Sequence, residues 1–199
     1  MKIYDVSREL LTSPVYPGDK SPRSERIRSI ERGDLYNLTE LSLNAHNGTH
    51  LDAPCHFLAD ASSAAEIDLS KTVGECYVAT VSEPVDDCLA AEILKKAKSV
   101  GAAYSKKILL KGREELELSG AEAFSKAGVD LIGCELLSVG PVAAPMDVHV
   151  HLLSKGVALL ESLDLSGVSD GGYFLCAAPL KIAGSDGAPC RALLISQND

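Results

Sequence analysis

From Asp86 onward, helical and strand-like segments alternate along this 199-residue chain, and extended segments frame them at both ends. Together these predict a mixed-sheet fold of the α/β or α+β class. A third observation narrows the topology, because two strands separated by a helix pair in parallel through a crossover. No repeat, low-complexity tract or linker divides the chain, so residues 1–199 are expected to form one domain.

The elements follow in order. Lys2–Ser7 and Tyr36–Ala45 read as extended, the second with a partial alternation of Leu38, Leu41 and Leu43. Between them Thr12–Arg23 carries Pro14, Pro17, Gly18 and Pro22 and reads as a loop of the kind that contributes to sites. Asp86–Lys98 places Leu89, Ile93, Leu94 and Ala97 at helical spacing, with acids at its start and lysines at its end, as the helix dipole favours. Lys106–Lys111 is a short strand. Ser119–Lys126 is a second helix, with Ser119 as its N-cap and Gly128 as its stop. Val129–Leu137 is a strand, Asp147–Lys155 a short helix stopped at Gly156, and Val157–Leu160 a strand buried on both faces. Tyr173–Ile182 and Arg191–Ser196 are strands separated by the turn-rich Gly184-Ser185-Asp186-Gly187-Ala188-Pro189.

Composition bounds the function. The chain has 28 acidic and 19 basic residues, a net charge of -9, which argues against nucleic acid or an anionic membrane as partner. No apolar run approaches the roughly 18 residues of a membrane span, and Met1-Lys2-Ile3-Tyr4-Asp5 opens no secretory signal. The six cysteines form no CxxC pair, and four lie in strand-like contexts that suit buried thiols. A reduced, cytoplasmic protein is expected.

All five histidines fall in two short segments. In the first, His46, His50, Asp52 and His56 share one parity, so an extended strand would point them to one face. His50 and Asp52 would then be about 6–7 Å apart at their α-carbons, comfortable for one metal ion. His46 would lie about 13 Å from His50 on a straight strand, but Asn47-Gly48 is a turn signal that folds it back. Pro54 likewise redirects the chain so that His56 faces the site. Imidazole with carboxylate suits Zn, Mn or Fe. In the second segment, His149 shares a helix face with Leu152 and Leu153 and points inward, while His151, about 200° away, faces solvent. Glu161 ends the apolar run Val157–Leu160, where it either meets solvent or needs a buried partner.

The run His46-Asn47-Gly48-Thr49-His50-Leu51-Asp52-Ala53-Pro54-Cys55-His56-Phe57 closely resembles the HxGTHxDxPxH signature of the cyclase-like metal-dependent hydrolases, a group that includes bacterial kynurenine formamidases and isatin hydrolases. The resemblance spans nearly the whole chain. Tyr16-Pro17-Gly18-Asp19 looks like the family's early loop and Gly74-Glu75-Cys76 like the segment after the motif. His149–Glu161 resembles its HxxLLxxGxxxxE stretch, and Pro179–Arg191 its PLKIxGxDGxPxR ending.

The resemblance implies a swivelling β/β/α fold, a homodimer or larger assembly, and one or two divalent ions, Zn(II) or Mn(II). It implies that His46, His50 and Asp52 bind the first ion, that Asp52, His149 and Glu161 bind or bridge to the second, and that His56 donates and accepts the proton. The reaction it implies is hydrolysis of a C–N bond in a small amide, such as an arylformamide or a cyclic amide. Alternatives are cyclisation or dehydration of a small hydroxy-acid or polyketide-like substrate, or metal and ligand binding without catalysis. Arylformamidases of the group typically carry Trp in the early loop, whereas this chain has Tyr16 and no Trp. Tyr16 either stacks on an aryl substrate or packs on the core; with Phe57 it is the expected substrate contact. Arg191 is expected to pair with an acidic side chain rather than a substrate carboxylate.

Overall fold

The structure is a computed structural model and describes residues 1–141 and 144–196. Its strands are β1 (Lys2–Asp5), β2 (Arg23–Arg28), β3 (Leu38–Ser42), β4 (His50–Asp52), β5 (Val73–Thr80), β6 (Lys107–Lys111), β7 (Leu131–Cys134), β8 (Ala158–Glu161), β9 (Gly171–Cys176), β10 (Gly187–Pro189) and β11 (Leu193–Ser196). The helices are α1 (Leu69–Thr72), α2 (Asp87–Val100), α3 (Leu118–Lys126) and α4 (Pro145–Ser154).

Nine strands form one mixed sheet in the order β1-β11-β9-β5-β6-β7-β8-β4-β10. The middle of it is parallel, β5 to β6 to β7 to β8, and α2, α3 and α4 make the three crossovers. The helix–strand alternation thus produced the parallel pairing expected of it. The remaining pairs are antiparallel.

Burial on both faces explains why the parallel strands are continuous apolar runs. Tyr77, Ala79, Ile108, Leu110, Ile132 and Leu159 face the helices, where α2 contributes Ala90, Ile93, Leu94 and Ala97. The alternate residues Cys76, Val78, Leu109, Leu131 and Leu160 face a second core. That core also takes Leu51 from β4 and Leu194 from β11, near opposite ends of the strand order, so the sheet curls around it. Each fully buried leucine contributes about 1.5–3 kcal/mol relative to an exposed one.

Several boundaries move for identifiable reasons. Asp86 is the N-cap of α2, its carboxylate accepting from the Leu89 N–H at 2.8 Å. Ser119 is not the N-cap of α3. The helix begins at Leu118 behind Glu117, because Val85 and Leu116 bridge in parallel and Glu117 N–H donates to the Val85 carbonyl, fixing the entry of the chain. Pro145 opens α4 two residues before Asp147, where a missing N–H costs nothing. Gly156 stops it as expected, at φ +73°. The extended reading of Tyr36–Ala45 shortens to β3, and its leucines bury no face: β3 is exposed throughout and pairs only with β2, an Arg- and Glu-rich strand without apolar alternation. Val129–Leu137 and Tyr173–Ile182 contract to β7 and β9.

All six cysteines are free thiols. Only Cys76 and Cys134 are fully buried, and burial raises both thiol pKa values; Cys176 and Cys190, in strand-like surroundings nearer the sheet edge, are half-buried. Arg191 is tied to Asp5, which joins the β11 end of the chain to β1. No helix among the described residues is long and apolar enough to cross a membrane.

Candidate metal centre

Strand register builds the inner half of the site. In the β4–β8 pair His50 lies opposite Glu161, Leu51 opposite Leu160 and Asp52 opposite Leu159. Leu51 and Leu160 drive into the second core, which forces His50, Asp52 and Glu161 onto the helix-facing side. There α4 lowers His149 onto the cluster. His50, Asp52, His149 and Glu161 are all buried.

The common parity of the first segment holds only for His50 and Asp52, because β4 is three residues long. His46 arrives from the preceding turn, in which Gly48 takes a φ of +66° that a side chain would resist. His56 arrives from a single 3-10 turn, Pro54–His56, which Pro54 opens. The turn and the proline therefore redirect the chain as their residue types imply. The His46 and His50 rings meet edge-on at 4.9 Å, and the His46 and His56 rings lie 4.1 Å apart.

The donor atoms converge. His46 Nδ1 is 3.0 Å and His50 Nε2 3.4 Å from Asp52 Oδ1. His50 Nε2 is 3.5 Å from Glu161 Oε2, while His149 Nε2 is 3.2 Å from Glu161 Oε1 and 3.6 Å from Asp52 Oδ2. Ligand atoms set tetrahedrally about 2.0–2.2 Å from one ion lie about 3.3–3.6 Å from each other. Three triads of potential ligands arise here among the described residues: His46–His50–Asp52 and Asp52–His149–Glu161, which share Asp52 and are the more buried, and His46–His56–Asp186 on the half-exposed outer side.

Two observations test whether a cation fits. His50 Nε2 and Asp52 Oδ2 are fully buried and have no hydrogen-bond partner, which is costly unless something else satisfies them. The nitrogens are also already aimed. His50 Nδ1–H donates to the Gly48 carbonyl at 2.9 Å and His149 Nδ1–H to the Pro145 carbonyl at 2.7 Å, leaving each Nε2 turned into the cluster. The all-nitrogen-and-oxygen donor set suits a divalent metal.

Electrostatics agree. Burial opposes a charge on His50, but Asp52 and Glu161 outweigh it and raise its pKa to about 10. Burial would also raise Asp52, yet His46 and His50 hold it far below the usual carboxylate range. His46 and His149 end raised in the same way, by Asp52 and by Glu161. His56 differs: burial lowers its pKa, so it is neutral at pH 7.

The cluster opens into a cleft of about 250 Å³ lined by Tyr16, Asp19, His46, His56, Phe57, Leu137, Ser138, Pro145, His149 and Glu161. The proline-rich loop thus delivers Tyr16, as its residue types suggested. Phe57 packs its ring 4.7 Å from that of His149 and 4.5 Å from that of His56. Every singled-out site residue, His46, His50, Asp52, His56, His149, Glu161, Tyr16 and Phe57, is at this place. His151 is not, and neither does it point to solvent: its Nε2 lies 2.8 Å from Ser125 Oγ on α3.

Sequence reasoning missed two polar residues of the cleft, Ser138 and Asp19, and one carboxylate beside it, Asp186. Ser138 has a buried, unpartnered Oγ and lies in an irregular segment whose next residue, Val139, donates its N–H to Glu161 Oε1. Asp19 follows a Pro-Gly turn and reads as loop chemistry. Asp186 reads in the sequence only as part of a turn, although it lies 3.1 Å from His46 and 3.4 Å from His56. The one available signal was its place between glycines in the PLKIxGxDGxPxR pattern.

A curled mixed sheet that gathers three histidines and two carboxylates at the floor of a small cleft is the architecture of a metal-dependent hydrolase. Residues 4–141 match the family model "Putative cyclase". A kynurenine formamidase from Erythrobacter litoralis is 31% identical over 97% of this chain and 93% of its own. A structure described as a potential metal-dependent hydrolase with cyclase activity superimposes with a TM-score of 0.81 at 26% identity, covering 97% of this chain and 96% of that one. Isatin hydrolase A from Labrenzia aggregata shares the fold, with a TM-score of 0.79 at 21% identity over 98% of this chain and 94% of its own. The chain belongs to the cyclase family of metal-dependent hydrolases.

Proposed function

We propose that this metal-dependent amide hydrolase acts on a small arylformamide of the N-formylkynurenine type, with His46, His50, Asp52, His149 and Glu161 holding one or two Zn(II) or Mn(II) ions. The observation that carries the reading is the pair of buried, unpartnered atoms His50 Nε2 and Asp52 Oδ2 at the centre of the donor cluster. When bound there, a divalent ion supplies Lewis acidity, polarising the substrate carbonyl and acidifying water. The rest falls to the protein. His56, neutral at pH 7, takes a proton from the attacking water at one stage and returns it to the leaving nitrogen at the next. Tyr16 and Phe57 form the aromatic wall against which an aryl group stacks. Similarity to the kynurenine formamidase supports the aryl substrate. A cyclic amide would use the same groups.

Residues 1–199 act as a single domain in this reading, and the protein is a cytoplasmic homodimer or larger assembly, which sedimentation of the purified chain checks. Elemental analysis of wild type and Asp52→Ala, with N-formylkynurenine hydrolysis assayed on both, tests the reading itself. Wild type should hold one or two transition-metal ions per chain and hydrolyse the substrate, and Asp52→Ala should lose both. A wild type that takes up neither Zn(II) nor Mn(II) would return the chain to the alternative of a binding protein without metal catalysis.

A further inference from the structure

We infer that Asp186 is a positioning residue that fixes the metal-facing nitrogen of His46 and the place of His56 with one carboxylate oxygen; the inference deepens the proposed function and rests on it.

Three histidines face the cluster, and each is held by its outward nitrogen. His50 and His149 are held through Nδ1 by main-chain carbonyls, of Gly48 and Pro145. His46 is turned the other way round. Its Nδ1 faces Asp52 at 3.0 Å and its Nε2 points outward to Asp186 Oδ2 at 3.1 Å. With Nε2–H donated to Asp186, the tautomer is set and the Nδ1 lone pair is directed into the cluster. For this histidine alone the outer acceptor is a side chain, and an anionic one.

The same Oδ2 stands 3.4 Å from Nδ1 of His56. The His46 and His56 rings lie face to face with 31° between their planes. One oxygen shared by two such rings holds the proton-transfer group at a set distance from a ligand of the cluster.

The backbone is arranged to keep Asp186 there. Its carbonyl accepts from Ala53 N–H at 2.8 Å, the neighbouring Ser185 carbonyl accepts from Ala64 N–H at 2.8 Å, and Gly187 pairs with Asp52 across β10 and β4. Gly187 supplies a second, independent sign that this turn is fitted to His46. A Cβ at that position would lie 2.7 Å from His46 Cε1, so the imidazole rests directly on the glycine. The Asp186 side chain itself is half-exposed and packs into no core, so removing it probes the contact rather than the fold.

The test uses the full chain as wild type, Asp186→Ala and Asp186→Asn. Zn(II) affinity is read by competition with a chromophoric chelator, the ligand field by the visible spectrum of the Co(II)-loaded protein, and kcat and KM with N-formylkynurenine. Asp186→Ala should bind Zn(II) about 10- to 100-fold more weakly, the usual effect of losing an outer-shell partner. Its Co(II) spectrum should shift, and kcat should fall at least tenfold while KM stays within twofold. Asp186→Asn keeps an acceptor oxygen and should recover part of the affinity. Wild-type affinity and spectrum in Asp186→Ala would overturn the inference, and so would a loss of kcat with affinity intact, since His46 would then not depend on Asp186. A wild type that binds neither ion would instead remove the proposed function beneath it.

Discussion

His50 and Glu161 face each other across the β4–β8 pair, Nε2 to Oε2 at 3.5 Å, although they are far apart in the chain. Their meeting is a consequence of register. A slip of one residue would turn the leucine of the slipped strand, Leu51 or Leu160, out of the second core and take the donors that strand carries off the face His149 meets. The hydrophobic core and the metal centre are therefore specified by the same alternation, and neither can drift without the other.

Glu161→Gln tests the acidic half of that pair. The amide oxygen can still accept from Val139 N–H, which now meets Oε1 at 2.8 Å, so the fold should survive. The charge that faces His50 and His149 is lost. Zn(II) affinity should fall by more than the roughly 10- to 100-fold typical of an outer-shell change. Chelator competition, with circular dichroism as the check on folding, reads both.

The charge state of His50 makes metal removal pH-sensitive. In the metal-free protein its pKa stands raised from 6.5 to about 10, burial being outweighed by Asp52 and Glu161. A group raised on folding contributes its full stabilisation below the unfolded value and loses it as pH rises through the folded one. EDTA-treated protein should therefore melt at a lower temperature at pH 9.5 than at pH 7. Metal requires the same nitrogen without its proton, so affinity for Zn(II) should increase from pH 6 to pH 8. Melting curves and chelator competition across that range decide; metal-free protein that gains stability at pH 9.5 contradicts the assignment.

His56 should separate chemistry from metal retention. It sits in the cleft outside the two buried donor triads that share Asp52, grouped instead with His46 and Asp186 on the outer side, and burial keeps it neutral at pH 7. His56→Ala should keep the wild-type metal content and lose about 100- to 10,000-fold in kcat, the range for a general acid–base group. Loss of the metal along with activity would make it a ligand instead.

Much of this architecture could be read from residue types, and the exceptions share a cause. The α2 helix and the β6, β7 and β8 strands follow from local periodicity and caps, which is why Asp86, Gly156 and the parallel pairs were foreseeable. The first segment of the donor set was legible because His50 and Asp52 alternate on one strand and turn signals flank them, whereas the pairing of His149 with Glu161 at the same centre followed only from the family resemblance. Strand β2 was invisible, since RSERIR buries nothing and exists only through pairing with β3. Asp186 was missed for the related reason that it reaches His46 across 140 positions through sheet pairing. His151 was misplaced because its partner, Ser125, lies on another helix.

Tyr16 lines the same cleft as Phe57. An aryl contact of this kind is worth about 0.5–1.5 kcal/mol, or roughly 2- to 12-fold in binding. Tyr16→Ala should raise KM for N-formylkynurenine by that factor with kcat little changed, because ground state and transition state both lose the contact. An aliphatic formamide should be indifferent. Equal effects on both substrates would make Tyr16 a packing residue.

The fold beneath the site offers an independent test at Gly120, near the start of α3. A Cβ there would collide with the Val85 carbonyl oxygen and come within 2.9 Å of Leu116 Cδ1. That carbonyl already accepts from Glu117 N–H at 3.1 Å, and Val85 bridges Leu116, so it has little room to retreat. Alanine would otherwise favour the helix over glycine by about 1 kcal/mol. Overpacking at a close approach costs about 1–3 kcal/mol, so the two effects oppose and the collision should win. Gly120→Ala is expected to lower stability in urea by about 1 kcal/mol. Its metal content should match wild type, because α3 supplies none of the donor atoms. A gain in stability would mean that α3 slides away from Val85 freely, and that the bridge does not fix how the helix enters.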